Sequence, residues 1–257
     1  MPGVCTMSWL RDGTAYELFF NRDEKRARLA AEPPEVRRVG TTSVLAPRDG
    51  QAGGSWLAAN GHGLTLALLN GYLGPDAAST PASGPWTSRG QLVMELSECS
   101  GIVELTERIR ARDLANFRSF HLAAIDPHNA VLASWRDGAL ECVPQDGFSS
   151  PLISSSFEFA AVADSRREVY REYVGAGANN RTETMLAYHR SHRPERSAFS
   201  TCMHRDDART VSFSWVRVDD RRVQMRYSPD APCRAWPPCP ALSIDRSEQR
   251  GAKNVPR

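Results

Sequence analysis

Residues 5–24 read CTMSWLRDGTAYELFFNRDE, and this stretch decides the class of fold. Two runs of strand-forming residues, 5–10 and 16–20, lie on either side of Asp12-Gly13. An Asp-Gly dipeptide between two such runs favours the tight turn of a β-hairpin. The chain is therefore predicted to begin with two antiparallel strands.

A second predicted hairpin follows the first, and after it the apolar residues change from the spacing of a strand to that of a helix. The runs 55–60 and 64–70 flank the Gly-rich turn 60–63, whereas 88–99 and 101–113 carry apolar residues at helical spacing, with Ser88 as a candidate N-cap. Further strands and helices are predicted at 117–126 and 130–143 (strands), 157–174 and 181–190 (helices), and 198–204, 209–219 and 222–228 (strands). Sheet and helix segments in this order predict an α+β domain with stacked layers.

The length and composition favour one globular domain. At 257 residues, with 41% apolar and 24% charged residues, the chain is long enough for a single large core. We predict a short leader at 1–4, one domain over 5–231, and a disordered tail at 232–257, because that stretch is rich in proline and charge and lacks an apolar period.

Charge, hydropathy and cysteine spacing exclude several classes of function. The net charge is only +2, without a basic stripe interleaved with aromatic residues, so no nucleic-acid partner is predicted. The longest apolar stretch, 64–74, is far shorter than the ~20 residues that span a bilayer. No secretory segment precedes Arg11, which predicts a cytoplasmic protein. The six cysteines show neither a CxxC pair nor a Cys/His pair at zinc spacing, so no metal site is predicted.

Cys5 has two interpretations. It is either a small buried residue of the first strand, the usual place of a free cysteine, or a nucleophile. As the first residue of a mature chain it would carry its own base, because a free α-amine with a pKa of about 7.7–8.0 can accept the thiol proton. Initiation at Val4 followed by removal of the initiating methionine, or cleavage of residues 1–4, would expose Cys5 in this way.

Four polar residues, Asn21-Arg22-Asp23-Glu24, end the second predicted strand, where the hairpin brings them back towards Cys5. Arg22 would favour a thiolate and bind an anionic or carbonyl group, and Asp23 could hold the amine. The alternative is an ordinary solvated turn.

These motifs together resemble the NRDE family, the transport and Golgi organization protein family. The resemblance runs from Cys5 to about Cys233 and is carried by CTMSW, NRDE, GGSWLAANGHG, ALLN and SRGQLV. That family is similar in turn to the N-terminal nucleophile hydrolases of the choloylglycine hydrolase and penicillin acylase type. The resemblance implies a four-layer αββα fold and hydrolysis of a carbon–nitrogen amide bond in a small molecule.

The resemblance also implies roles for individual residues. Cys5 would be the nucleophile, Arg22 and Asp23 would organise it, and Asn70 would donate to the oxyanion, although an Asn70-Gly71 turn also accounts for that asparagine. The expected substrate contacts are Asn21, Trp56, Asn60, His204 and Arg209. Where those hydrolases carry a second asparagine after a later strand, this chain has Ser154, Ser155 and Ser156.

A second function stays open on the same fold. The eukaryotic relatives are linked to haem trafficking and to lipid and coenzyme A homeostasis, which implies a non-catalytic carrier of haem or of a lipid or acyl-CoA. Cys202, His204 and Cys239 are the candidate haem contacts under that alternative. The hydrolase interpretation needs no cofactor.

Overall fold

The computed structural model describes residues 5–71, 84–176, 180–236 and 238–246. Within these residues the chain forms thirteen strands, four α-helices and one short 3-10 helix, Gln145–Gly147. The strands are β1 (Cys5–Asp12), β2 (Ala15–Lys25), β3 (Glu32–Val39), β4 (Thr42–Arg48), β5 (Leu57–Asn60), β6 (Thr65–Asn70), β7 (Phe120–Ile125), β8 (Ala130–Arg136), β9 (Ala139–Pro144), β10 (Leu152–Ser154), β11 (Ala208–Val218), β12 (Arg222–Ser228) and β13 (Leu242–Asp245). The helices are α1 (Arg89–Leu96), α2 (Ile102–Ala111), α3 (Phe159–Gly175) and α4 (Arg181–Arg190). No helix in these described ranges is long and apolar enough to cross a membrane.

The strands form two antiparallel sheets. The first has the order β10-β1-β2-β11-β12-β13, and the second has the order β3-β4-β5-β6-β7-β8-β9. Both predicted N-terminal hairpins are present, one in each sheet. In the first hairpin Asp12 pairs with Ala15, and Gly13 adopts the left-handed conformation (φ +59°) that such a turn requires.

Helices cover the outer face of each sheet, which gives the predicted four layers. Leu18 and Phe20 of β2 pack between the sheets with Leu66 of β6, whereas Phe19 points to the opposite face and packs on Leu186 of α4. This alternation follows from the two-residue period of a strand. Helices α3 and α4 contact the first sheet, and α1 and α2 contact the second. The αββα architecture and the α+β class are therefore confirmed.

The predicted strand at 198–204 is wrong. This segment forms turns, with an isolated bridge between His204 and Arg209. The hydroxyl of Ser200 donates to the backbone carbonyls of Ser197 (3.0 Å) and Cys202 (2.9 Å). Serine side chains that form hydrogen bonds with nearby backbone groups compete with the hydrogen bonds of a sheet. The segment therefore forms turns, although its apolar residues favour a strand.

The predicted disordered tail also needs correction over its described part. Strand β13 pairs with β12, and the backbone N–H of Cys239 donates to the carbonyl of Tyr227 (3.0 Å). The side chains of β13 are largely exposed. Backbone hydrogen bonds to β12 therefore keep β13 in the sheet, and its sequence shows no apolar period that would have predicted a strand. The predicted leader at 1–4 and the rest of the tail, 247–257, lie outside the described residues.

Candidate active site

A cavity of about 230 Å³ lies where the start of β1 and the end of β2 meet the end of β6 and the start of α1. All four residues predicted to be catalytic line it, although they come from three strands. The lining consists of Cys5, Arg22, Asp23, Glu24, Arg28, Asp49, Ala52, Ser55, Trp56, Leu68, Asn70, Ser88, Arg89, Gly90 and Arg118.

Cys5 begins β1 and is buried between β2 and the short edge strand β10. Its backbone N–H donates to the hydroxyl of Ser154, directly opposite in β10 (3.3 Å). Its thiol sulfur lies 4.0 Å from the backbone carbonyl oxygen of Asp23. The nitrogen and the sulfur of one residue therefore both have partners at the edge of the cavity.

The environment of Cys5 keeps its thiol protonated. Burial is the main cause that raises the pKa of this thiol to about 12, and the carboxyl of Asp23 raises it further. A thiolate is the reactive form of cysteine, so attack by Cys5 requires a base that removes the proton during the reaction.

Arg22 presents a fixed cation to the cavity. Its guanidinium donates to Asp49 (2.5 Å) and lies over the ring of Trp56, 4.1 Å from the ring centroid. Arg28 also donates to Asp49 (3.0 Å). Burial acts to raise the pKa of Asp49, but the N–H of Ala52 and the two arginines hold that pKa below its ordinary value. The ionised Asp49 and the stacked Trp56 restrict the rotamers of Arg22.

Residues of β11 and α3 hold the carboxyl of Asp23. Thr210 donates its hydroxyl to one carboxyl oxygen (2.6 Å), and Arg166 of α3 lies 3.3 Å from the other. Burial raises the pKa of Asp23 to about 7, and Arg166 and Thr210 act against this rise. A bulge in β11 between Thr210 and Ser212 lies opposite Arg22 and Asp23, and such irregularities re-aim neighbouring side chains.

Arg166 connects this carboxyl to the strand of the cysteine. It is fully buried, and it donates to the hydroxyl of Thr6 (2.6 Å) and to the backbone carbonyl of Ala198 (2.9 Å). Thr6 follows Cys5 directly in β1. The arginine therefore holds β1, β2 and the segment before β11 in one arrangement.

Asn70 ends β6, and its backbone pairs with Phe120 of β7. It lines the cavity together with Leu68 from the same strand and Trp56 from the segment before β5. Asn70 therefore belongs to the lining of the same cavity as Cys5, Arg22 and Asp23.

Two predicted substrate contacts, Asn21 and Asn60, lie outside the lining of this cavity and have structural partners. The amide of Asn21 donates to the carbonyls of His189 (2.9 Å) and Thr201 (2.8 Å). The amide of Asn60 donates to the carbonyls of Ser97 (2.9 Å) and Cys99 (2.7 Å). Each asparagine fixes a turn or loop on the outer side of its sheet.

His204 and Arg209 are also placed away from this cavity. Arg209 forms an ion pair with Asp230 at the end of β12. The cavity beside His204 is lined by Arg196, Asp206 and Asp207 among others, and Cys239 is exposed. Since a porphyrin requires broad apolar walls, this charged surface does not fit the haem alternative.

Sequence reasoning missed Asp49 and Arg166 and assigned no role to Ser154. Asp49 follows β4, and Arg166 lies in a helix that is rich in charged residues, so neither stands out by type or spacing. Ser154 was noted where an asparagine was expected, but only the register of β10 against β1 places it on the nitrogen of Cys5.

The fold and this site define the class of protein: a layered α+β protein with a cavity centred on a cysteine. Residues 3–150 match the family model described as Transport and Golgi organisation 2. The match spans more than half of the chain, so the protein belongs to this family, as the motifs predicted. No curated protein matches the sequence.

Solved structures of similar architecture include penicillin V acylase from Agrobacterium tumefaciens, with 11% identity over 95% of this chain and 86% of that chain and a TM-score of 0.49. A variant of conjugated bile acid hydrolase from Clostridium perfringens shows 12% identity over 94% of this chain and 92% of that chain, also with a TM-score of 0.49.

Proposed function

We propose that the protein is an amidohydrolase in which Cys5, as the first residue of the mature chain, attacks a carbon–nitrogen amide bond of a small molecule. The observation that carries the proposal is the convergence of Cys5, Arg22, Asp23 and Asn70 on one cavity. The sequence predicts a catalytic role for all four, and they come from three strands: Cys5 from β1, Arg22 and Asp23 from β2, and Asn70 from β6.

The free α-amine of a first-residue Cys5 supplies the base. Its nitrogen would stay beside the hydroxyl of Ser154, in the place that the backbone N–H of Cys5 occupies now. A pKa near neutrality lets an α-amine accept the thiol proton and return it within one catalytic cycle. Removal of residues 1–4 therefore converts a protonated buried thiol into a nucleophile with its own base.

The reaction proceeds in two balanced steps. The sulfur of Cys5 bonds to the carbonyl carbon while the thiol proton passes to the α-amine; the C–N bond then breaks, and the leaving nitrogen takes that proton. Water next attacks the thioester, the α-amine accepts a proton from the water, and the thiol is restored as the carboxylic acid leaves. Asn70 donates its amide to the oxyanion in both steps, and Arg22 binds the carbonyl or an anionic group of the substrate.

The test uses the chain produced so that Cys5 is its first residue, verified by intact mass. It is incubated with a panel of N-acylated small molecules, and rapid-quench intact mass detects the acyl-enzyme. We expect Cys5→Ala to lower turnover by more than about a thousandfold, as loss of a nucleophile does. Cys142→Ala on β9 is the matched control and leaves turnover unchanged.

Two results would contradict the proposal. One is equal turnover of the parent chain and Cys5→Ala. The other is an intact mass of the natively produced protein that still includes residues 1–4, because Cys5 then has no free amine. The cytoplasmic location stays a prediction that cell fractionation tests.

A further inference from the structure

Four metal-binding side chains converge on one point outside the cavity of Cys5. His192, Cys202, His204 and Cys233 each direct one ligand atom to this point, and these four atoms all lie within 4.8 Å of one another. They come from three segments: the residues after α4, the turns before β11, and the residues after β12. We propose that they form a structural zinc site, with two thiolates and two imidazoles around one Zn²⁺.

The distances agree with a tetrahedral ion. The sulfur of Cys202 lies 3.7 Å from Nε2 of His204, and the sulfur of Cys233 lies 3.3 Å from the same nitrogen. Zn–S bonds of about 2.3 Å and Zn–N bonds of about 2.0–2.1 Å place tetrahedral ligand atoms roughly 3.3–3.8 Å apart. The other separations are at most 4.8 Å, so metal binding would shorten them by up to about 1 Å.

The state of His192 is an independent indication of a ligand. Its ring lies against that of His204, with 5.1 Å between centroids, and its Nε2 is buried without a hydrogen-bond partner. A buried polar atom without a partner is costly, and coordination to a metal removes that cost.

The donor set selects the metal and the role. Two sulfurs and two nitrogens in a compact arrangement suit Zn²⁺ rather than Mg²⁺ or Ca²⁺, which prefer oxygen ligands. Two thiolates neutralise the charge of the ion. This lowers the repulsion between the ion and the nearby cations Arg196 and Arg234, whose charges act on His204. Four protein ligands leave no open position, so the site is structural rather than catalytic.

The site would act on the segment that supports Asp23. Two residues of this segment, between His192 and Cys202, accept hydrogen bonds from the first sheet and α3. The carbonyl of Ala198 accepts from Arg166, and the carbonyl of Thr201 accepts from Asn21. Zinc would attach this segment to the residues after β12. The ion would therefore fix the position of Arg166 behind the candidate active site. The zinc site itself does not depend on the proposed amidohydrolase activity.

The experiment measures zinc in the full chain, purified without chelators from zinc-supplemented medium. We expect on the order of one Zn²⁺ per chain by mass spectrometry of the metal. Replacement by Co²⁺ is expected to give the intense visible absorption of tetrahedral cobalt bound to thiolates. Cys202→Ser and Cys233→Ser lose this absorption and the zinc, whereas Cys239→Ser, a matched exposed cysteine outside the cluster, keeps both.

A second measurement avoids variants that fail to fold. In the zinc-loaded parent protein, alkylation followed by peptide mapping is expected to modify the exposed Cys239 while the half-buried Cys233 stays protected, and a strong chelator removes that protection. A folded protein that holds no zinc after equilibration with the metal would overturn the proposal. So would a Cys202–Cys233 disulfide in place of free or zinc-bound thiols, or a saturable haemin spectrum that is lost in His204→Ala.

Discussion

Asp23 is the residue through which pH acts most directly on the candidate site, since its carboxyl is fully buried between Thr210 and Arg166. Burial raises its pKa from 3.8 to about 7. A pKa that is higher in the folded state than in the unfolded state gives stability that is complete below the unfolded pKa and is lost as pH rises through the folded pKa.

Asp23→Asn tests this titration. The difference in unfolding free energy between the parent protein and Asp23→Asn should fall with rising pH, by at most about 1.4 kcal/mol per pH unit between about pH 4 and pH 7, and then level off. Urea denaturation of both proteins across this range measures it, and taking the difference cancels groups that titrate alike in both, such as His189. A pH-independent difference would mean that Asp23 is ionised throughout.

Arg166 gives a second prediction at the residue scale. Above about pH 8, where Asp23 is ionised, Arg166→Met leaves this carboxylate buried without its cation and removes the hydrogen bonds to Thr6 and Ala198, so it should lower the free energy of unfolding by about 3–5 kcal/mol. The neighbouring Arg167→Met is the matched control, because Arg167 is half-exposed and pairs loosely with Asp164 (3.7 Å), and it should change stability by less than about 0.5 kcal/mol. Equal losses in denaturant titrations would show that the buried contacts of Arg166 are not decisive.

At the scale of elements, the approach of α1 to the segment before β5 shapes one wall of the cavity. A Cβ on Gly54 would lie 2.3 Å from the carbonyl carbon of Gly90, the second residue of α1. The backbone N–H of Ser55 donates to the carbonyl of Gly90 (3.1 Å). The contact between α1 and this segment is therefore backbone against backbone.

Gly54→Ala should force α1 away from this segment and lower the free energy of unfolding by about 1–3 kcal/mol, the usual cost of overpacking. Gly175→Ala at the end of α3 is the control. A Cβ there meets nothing within 4 Å, so no loss of stability is expected, and the helix preference of alanine adds at most about 1 kcal/mol. Chemical denaturation measures both variants, and a neutral Gly54→Ala would mean that α1 shifts without cost.

The elements also show where prediction from sequence succeeds. Both N-terminal hairpins were predictable because turn dipeptides and alternating residues are local signals. Cys5, Arg22, Asp23 and Asn70 lie in family motifs, which is why the sequence offers them as candidates, and their catalytic roles stay predictions. The segment at 198–204 and strand β13 were missed because local serine hydrogen bonds and exposed edge pairing leave no apolar period. Arg166 and the histidine–cysteine cluster depend on contacts between distant segments, which spacing along the chain cannot reveal.

At the scale of the whole molecule, apolar packing joins the two sheets, and the buried hydroxyl of Tyr16 adds polar contacts between them. Tyr16 of β2 in the first sheet reaches the second sheet, where its hydroxyl oxygen lies 2.8 Å from the carbonyl of Gly63, 2.7 Å from the hydroxyl of Thr65 and 3.0 Å from the carbonyl of Ile125. Burial raises the pKa of Tyr16, so the group stays protonated and able to donate. This contact connects the ends of β2, β6 and β7.

Tyr16→Phe removes the hydroxyl and leaves these buried oxygens without that partner, so the free energy of unfolding should fall by about 1–3 kcal/mol. Because one core is shared by both sheets, we expect a single transition at lower denaturant when tryptophan fluorescence and circular dichroism are compared. Tyr173→Phe in α3, whose ring packs at the outer layer against Tyr188, is the control and should change stability by less than about 0.5 kcal/mol. Two separated transitions in Tyr16→Phe would instead mean that the sheets unfold independently once this hydroxyl is gone.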